Sequence, residues 1–210
     1  MFAFDRKNVC VMESLDKVFF YGFLNKVLGE KVDVNLSEES KELIKSHARI
    51  IRLNKGEFLQ IEGDVSRYWG YVSEGLVRIY YLQHDKEITE QLSHEGDGFL
   101  DYESFFSQSP SRRFIQMLEP TTLYLFPRLE CEDLCNKSPE IRRYFRLLTE
   151  VVLLLKKKRI QQTIFKSAKE RYQILLEEKP NLVLRVPSIY VASYLGITPE
   201  TLSRIRSTVK

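Results

Sequence analysis

Within nine residues near the C-terminus, Thr198, Glu200, Thr201, Ser203, Arg204 and Arg206 gather hydroxyls, a carboxylate and two guanidinium groups. This is chemistry for contact, because no paired acid and base and no nucleophile beside a base accompanies it. Arginine donates two parallel bonds to guanine O6 and N7, a carboxylate accepts from cytosine N4, and hydroxyls reach bases or phosphates. Glu200 and Arg204, one helical turn apart, could together read one G·C step in a major groove.

Such a set works only if a helix presents it, and the flanking residues supply one. Thr198 is a good N-cap, Pro199 fits the first helical position and Glu200 suits the first turn, while Leu202 and Ile205 turn inward. Upstream, Ile189, Ala192 and Leu195 are expected to form the buried stripe of a first helix. Gly196 allows a left-handed turn residue, and Ile197 fills the angle between the two helices. A helical hairpin that merely caps a domain is the plainer alternative. The charge distribution favours the nucleic-acid reading: residues 156–210 hold 12 Lys/Arg against 4 Asp/Glu, whereas the other 155 residues hold 20 against 25.

The rest of the chain divides by period. Residues 1–35 are hard to read, although Phe19, Phe20, Tyr21, Phe23 and Leu24 suggest a short docking helix. LSEESKELIKSH reads as a helix capped by Ser37, with Glu39 or Ser40 in its first turn. RIIRL, EFLQI, GYV, LVRIYYL, EITEQL and TTLYLF then alternate at period two between glycine-bearing turns, which predicts an antiparallel barrel or jelly roll over 48–128. After Pro127 the period becomes helical, and a long helical segment starts at Ser138. Ile141, Phe145, Leu148, Val152 and Leu155 follow the spacing of a coiled-coil seam, widened by Leu147, Val151 and Leu154, and predict a helix that pairs with a second copy over 138–165. Tyr172, Leu175 and Leu176 mark a further helix ending at Pro180, and Leu182, Leu184 and Val186 read as a short extended link. The fold class expected is α+β: an N-terminal β-roll sensor unit over 1–137, a dimerisation helix over 138–165 and a helix-turn-helix unit over 166–210.

Cys10, Cys131 and Cys135 include no C-x-x-C pair and suit a reducing compartment, and His47, His84 and His94 show no ligand spacing, so no metal is assigned. Nothing approaches the roughly 20 apolar residues of a membrane span, and a cytoplasmic, membrane-free protein is expected.

ASYLGITPETLSRIR resembles the helix-turn-helix of the Crp/Fnr family of bacterial transcription regulators. The resemblance runs from about Leu36 to Arg206: capping helix, β-roll with Gly56, Gly63, Gly75 and Gly96 at its turns, long helix, then the hairpin. It implies a homodimer on an inverted repeat of double-stranded DNA, with Glu200, Ser203 and Arg204 at the bases. RNA polymerase is the further partner it brings into view. Phosphate contacts would come from helix N-termini and from Lys169, Arg185, Arg206 and Lys210.

Departures from the family qualify the sensor. Where cyclic-AMP binders carry a Gly-Glu pair and, ten residues on, an arginine, this chain has Leu100-Asp101 and Ser111. Leu100 puts a side chain where a phosphate needs bare backbone, so cyclic-nucleotide binding is not expected. Arg112 and Arg113 read as surface charges. Only Cys10 lies where the family's iron-sulfur cysteines cluster, so no such cluster is expected, and the effector is unknown. Asp101 and Glu103 read as solvated or capping carboxylates on a loop rather than as an enzyme's pair. The alternative function is a ligand-binding or protein-interaction module that keeps the helix-turn-helix only as structure.

Overall fold

The computed structural model describes residues 36–209; the expected docking helix, Cys10 and Lys210 lie outside them. The first helix, α1 (Glu38–Ser46), starts where Ser37 accepts from the Ser40 N–H at 3.2 Å. Eight strands follow: β1 (Arg49–Leu53), β2 (Phe58–Gln60), β3 (Tyr68–Glu74), β4 (Val77–Gln83), β5 (Lys86–Ser93), β6 (Gly98–Phe99), β7 (Arg113–Met117) and β8 (Thr121–Pro127). They make two four-stranded sheets, ordered β1-β8-β3-β6 and β2-β7-β4-β5, and the pairings are antiparallel. Alternation sets the register, because pairing Ile51 with Leu123 and Ile79 with Ile115 turns each strand's apolar set toward the same interior. Val72, Val77, Phe99, Met117 and Leu125 fill the space between the sheets.

The turn from β3 to β4 requires its glycine. Gly75 sits at φ +102°, and a Cβ there would come within 2.7 Å of the Pro120 carbonyl.

Two elements and a helix escape the sequence pattern. Strand β6 is two residues long and β7 opens on the second of a pair of arginines, so neither presents a readable alternation. Between them lies α2 (Tyr102–Ser107), capped by Asp101, where a loop is expected from sequence. After β8 come α3 (Arg128–Lys137) and α4 (Pro139–Phe165), a 27-residue helix capped by Ser138.

On α4 the predicted seam divides. Ile141 and Leu148 are buried with Tyr144 and Val151 against Tyr71, Tyr124 and Phe126 of the roll. The face left open carries Leu153, Leu154, Ile160 and Ile164, each at least half exposed. Three-four spacing fits a helix lying on its own sheet as well as one lying on a twin, and the roll has taken the more regular stripe.

The C-terminal unit comprises α5 (Ala168–Glu178), α6 (Pro180–Arg185), α7 (Ser188–Leu195) and α8 (Pro199–Thr208). Ser167 and Glu170 form a reciprocal capping box at α5. The expected extended link is instead α6: Pro180 opens it, and Leu182, Val183 and Val186 are buried while Leu184 is exposed, which is helical spacing and not alternation. The stripe on α7 is likewise Val191, Ala192 and Leu195, with Ile189 in solvent.

Candidate nucleic-acid interface

Helices α7 and α8 meet at Gly196, which takes the left-handed conformation (φ 66°, ψ 37°) that lets α7 stop sharply. The Ile197 N–H then bonds back to the Ala192 carbonyl at 3.0 Å. Ala192 is fully buried, and its small side chain permits the close crossing. Leu202 and Ile205 of α8 join Tyr172, Leu175, Leu182, Val191 and Leu195 in one cluster. Burial at that spacing fixes which flank of α8 faces outward.

The hydroxyl of Thr198 caps α8 by accepting from the Thr201 N–H at 3.2 Å, and the two threonine hydroxyls lie 3.1 Å apart. Thr201 is half-buried as a result. Glu200, Ser203 and Arg204 are exposed. The Glu200 carboxyl is held below the usual carboxylate range by its own backbone N–H, then by the Thr198 hydroxyl and by the nearby Arg204 charge. Arg204's guanidinium makes no hydrogen bond or ion pair among the described residues, so its five donors remain available.

Arg206 and Arg185 lie differently from the expectation. Arg206 turns back onto its own unit, donating to the Ser188 hydroxyl at 2.7 Å with its guanidinium 5.9 Å from the Tyr172 ring, and so ties the end of α8 to the start of α7. Arg185 is not a free phosphate contact: it donates to both Glu95 oxygens at 2.7 and 2.8 Å and pairs with Glu119, all on the roll. The fork geometry of guanidinium favours such bidentate pairing over a solvated state. Lys169 remains exposed on α5.

Sequence reasoning missed how the C-terminal unit sits on the roll. Ser193 of α7 accepts from the Thr89 N–H and donates to the Glu87 carbonyl, both at 2.9 Å. Arg78, fully buried, lies with its guanidinium 4.2 Å from the Tyr80 ring and 3.7 Å from that of Tyr190. It donates to Thr89 at 2.9 Å and to Glu87 at 2.6 Å, while its Nη2 has no hydrogen-bond partner among the described residues. Lys179 adds an ion pair to Asp97 at 2.5 Å. An arginine in the run VRIYY was the one available signal, since a charge amid apolar strand residues must find partners if buried.

Within the roll, Asp101 is buried and accepts from Gln60 at 3.2 Å and from Ser111, with Arg113 at 3.4 Å. Arg113 is therefore no plain surface charge: it also pairs with Glu90 at 2.7 Å and Glu103 at 3.0 Å. Lys156 of α4 lies 3.6 Å from Glu90 and 5.3 Å from the Tyr102 ring, and burial pulls its pKa down. No group of three or more His, Cys, Asp or Glu suited to a metal occurs among the described residues, and no helix of them is long and apolar enough to cross a membrane.

Residues 50–138 match the family model of the cyclic nucleotide-binding domain. FixK2 from Bradyrhizobium japonicum is 24% identical, with a TM-score of 0.65 over 77% of this chain and 84% of that one. The c-di-GMP responsive global regulator CLP from Xanthomonas campestris is 16% identical, with a TM-score of 0.63 over 82% and 91%. A regulator assigned to the Crp/Fnr family from Eubacterium rectale is 22% identical, with a TM-score of 0.59 over 82% and 83%. The chain has the Crp/Fnr fold. No curated protein matches it in sequence. Leu100 and Asp101 lead into the roll's short helix α2, and Asp101 is bonded inward by Gln60 and Ser111.

Proposed function

We propose that this chain is a sequence-specific DNA-binding transcription regulator that acts as a homodimer and whose β-roll does not take up cyclic AMP. One observation carries the DNA reading: α8 is anchored by Leu202 and Ile205 so that Glu200, Ser203 and Arg204 face solvent. Such a helix in a major groove places Arg204 on a guanine and Glu200 on a cytosine, with Thr198 and Thr201 at the backbone end. Arg206 then acts by holding α8 to α7. The homodimer is supported by the open face of Leu153, Leu154, Ile160 and Ile164 on α4, since two copies in parallel would cover it with leucine and isoleucine at heptad spacing. Two reading helices would then lie about 34 Å apart, one duplex turn.

The refusal of cyclic AMP is supported by the state of the roll's polar groups. Asp101 already holds the hydroxyl of Ser111, and Arg113 is committed to three carboxylates. A cyclic phosphate would meet the buried Asp101 carboxylate, and the arginine beside that carboxylate, Arg113, is already shared among three carboxylates.

Anisotropy with labelled duplexes, first selected from a random pool and then scrambled, tests the proposal. Salt-dependent binding that favours a selected inverted repeat is the expected outcome. Equal affinity for selected and scrambled DNA, from a dimer verified by sedimentation, would leave the interaction-module reading in its place.

A further inference from the structure

A cavity of about 580 Å³ opens between β3, β6, α2, α3 and α4. None of Gln60, Asp101, Ser111, Glu90 or Arg113 borders it, so it is separate from the polar network at the roll's short helix. Packed interiors hold few voids larger than a water molecule, and this volume lies in the range of small-molecule sites. Aromatic rings line much of its apolar wall: Trp69 and Tyr71 from β3, Tyr102, Phe105 and Phe106 from α2, and Phe145 from α4. Phe106 is 60% exposed, an apolar ring left beside the opening. The wall carries little competing charge. Burial pushes the Cys131 thiol up to about 12 and raises that of Cys135, so both stay protonated at neutral pH, and Glu132 is taken by Arg128 at 2.6 Å.

One cation is not taken. Arg142 borders the cavity and donates from Nε to the Cys135 carbonyl at 2.8 Å, which holds the guanidinium in place while its two terminal nitrogens have no partner among the described residues. We propose that this cavity is an effector site for a hydrophobic monoanion, an aryl or long-chain carboxylate, whose apolar body lies among the aromatic rings and whose charged end meets Arg142. The same occupant touches α4 at Leu148, Thr149 and Val152, immediately before its exposed leucines, and so biases the pairing of α4 with a second copy. The binding claim stands without the regulator reading; only the effect on DNA rests on it.

Trp69 is the only tryptophan in the chain and lines the cavity, so its fluorescence reports occupancy directly. Titrating the full chain with 1-naphthoate and with dodecanoate is expected to change Trp69 emission saturably, with one site per chain. Arg142→Gln should weaken both carboxylates about tenfold, through loss of a charge-assisted bond, while leaving neutral 1-naphthalenemethanol unaffected. Thr149→Phe, which places a ring in the cavity from the solvent side of α4, should abolish all three. Circular dichroism of each variant confirms that it is folded. No saturable change with any probe, or equal binding by the folded wild type and both folded variants, would overturn the site. Saturable binding that leaves affinity for the selected duplex unchanged, in a protein that does bind it, would uphold the site and overturn its regulatory role. Absence of DNA binding altogether, with carboxylate binding intact, would count against the proposed function alone.

Discussion

The outer flank of α8 and the Asp101–Arg113 network of the roll are both polar clusters, and they differ in what their groups have left to give. In the network each charge faces another: Asp101 is met by Gln60, Ser111 and Arg113, and Arg113 by three carboxylates. On α8 the guanidinium of Arg204 has no partner among the described residues, and Ser203 stands exposed beside it. A satisfied network stabilises its own fold, whereas unspent donors on a rigid helix are what a ligand can use. The Asp101–Arg113 network is thus spent within the roll, whereas the flank of α8 keeps donors free for the DNA contact proposed above.

It can be broken from either side. Arg113→Ala should have the largest effect, because it leaves the buried Asp101 carboxylate uncompensated. A loss of about 2 to 4 kcal/mol is expected in urea unfolding, with preference among duplexes unchanged in the folded fraction. Arg204→Ala should do the reverse. It should cost about 1 to 3 kcal/mol of binding to the selected duplex and relax one base pair, with no change in melting temperature. A fall in stability for Arg204→Ala would place that side chain among the structural groups after all. Thr198→Ala lies between the two, since its hydroxyl caps the helix that presents Arg204. About 1 kcal/mol of stability should be lost, and DNA affinity should fall for all sequences alike.

The smallest effect sharpens the comparison at the junction of the two regions. Arg185, by hydrogen bonding, lowers the Glu95 pKa to about 2, well below the usual carboxylate range. A depressed carboxylate contributes stability that is present above its unfolded pKa and lost as pH falls through its folded one. The advantage of wild type over Arg185→Gln should therefore be full at pH 5 and fade toward pH 2. Both partners are about a third exposed, so solvent screening keeps it to about 1 kcal/mol or less. A gap between the two proteins that persists unchanged to pH 2 would remove Glu95 as its source.

The strands were legible where leucine, isoleucine and aromatic residues cluster between turns, as in RIIRL and TTLYLF, although the latter is buried on both faces, and the caps were legible because Ser37, Thr198 and Pro199 each have one physical use. Leu182, Leu184 and Val186 misled because alternate positions are also met on a short helix, and Val183 was the residue that decided it. Ile189 misled because an apolar residue in the first turn of a helix need not face inward. On α4 the pattern gave the helix but could not say which stripe meets the roll, since both stripes are apolar. Arg185, Arg206 and Arg78 were opaque for a common reason. The fate of a guanidinium depends on what the fold carries within reach of it, and the partners Glu95, Glu119, Ser188 and Glu87 lie up to 90 positions away in sequence.

Ser193 clasps β5 at two backbone groups, and it belongs to the helix that shares a core with α8. The β4–β5 hairpin and α8 are thus joined like a handle and a blade, through a joint that bypasses α4. A tilt of the hairpin by even a few degrees would swing the Arg204 end of the molecule, so that under the proposed function the roll would have a mechanical route to DNA that does not run through the long helix.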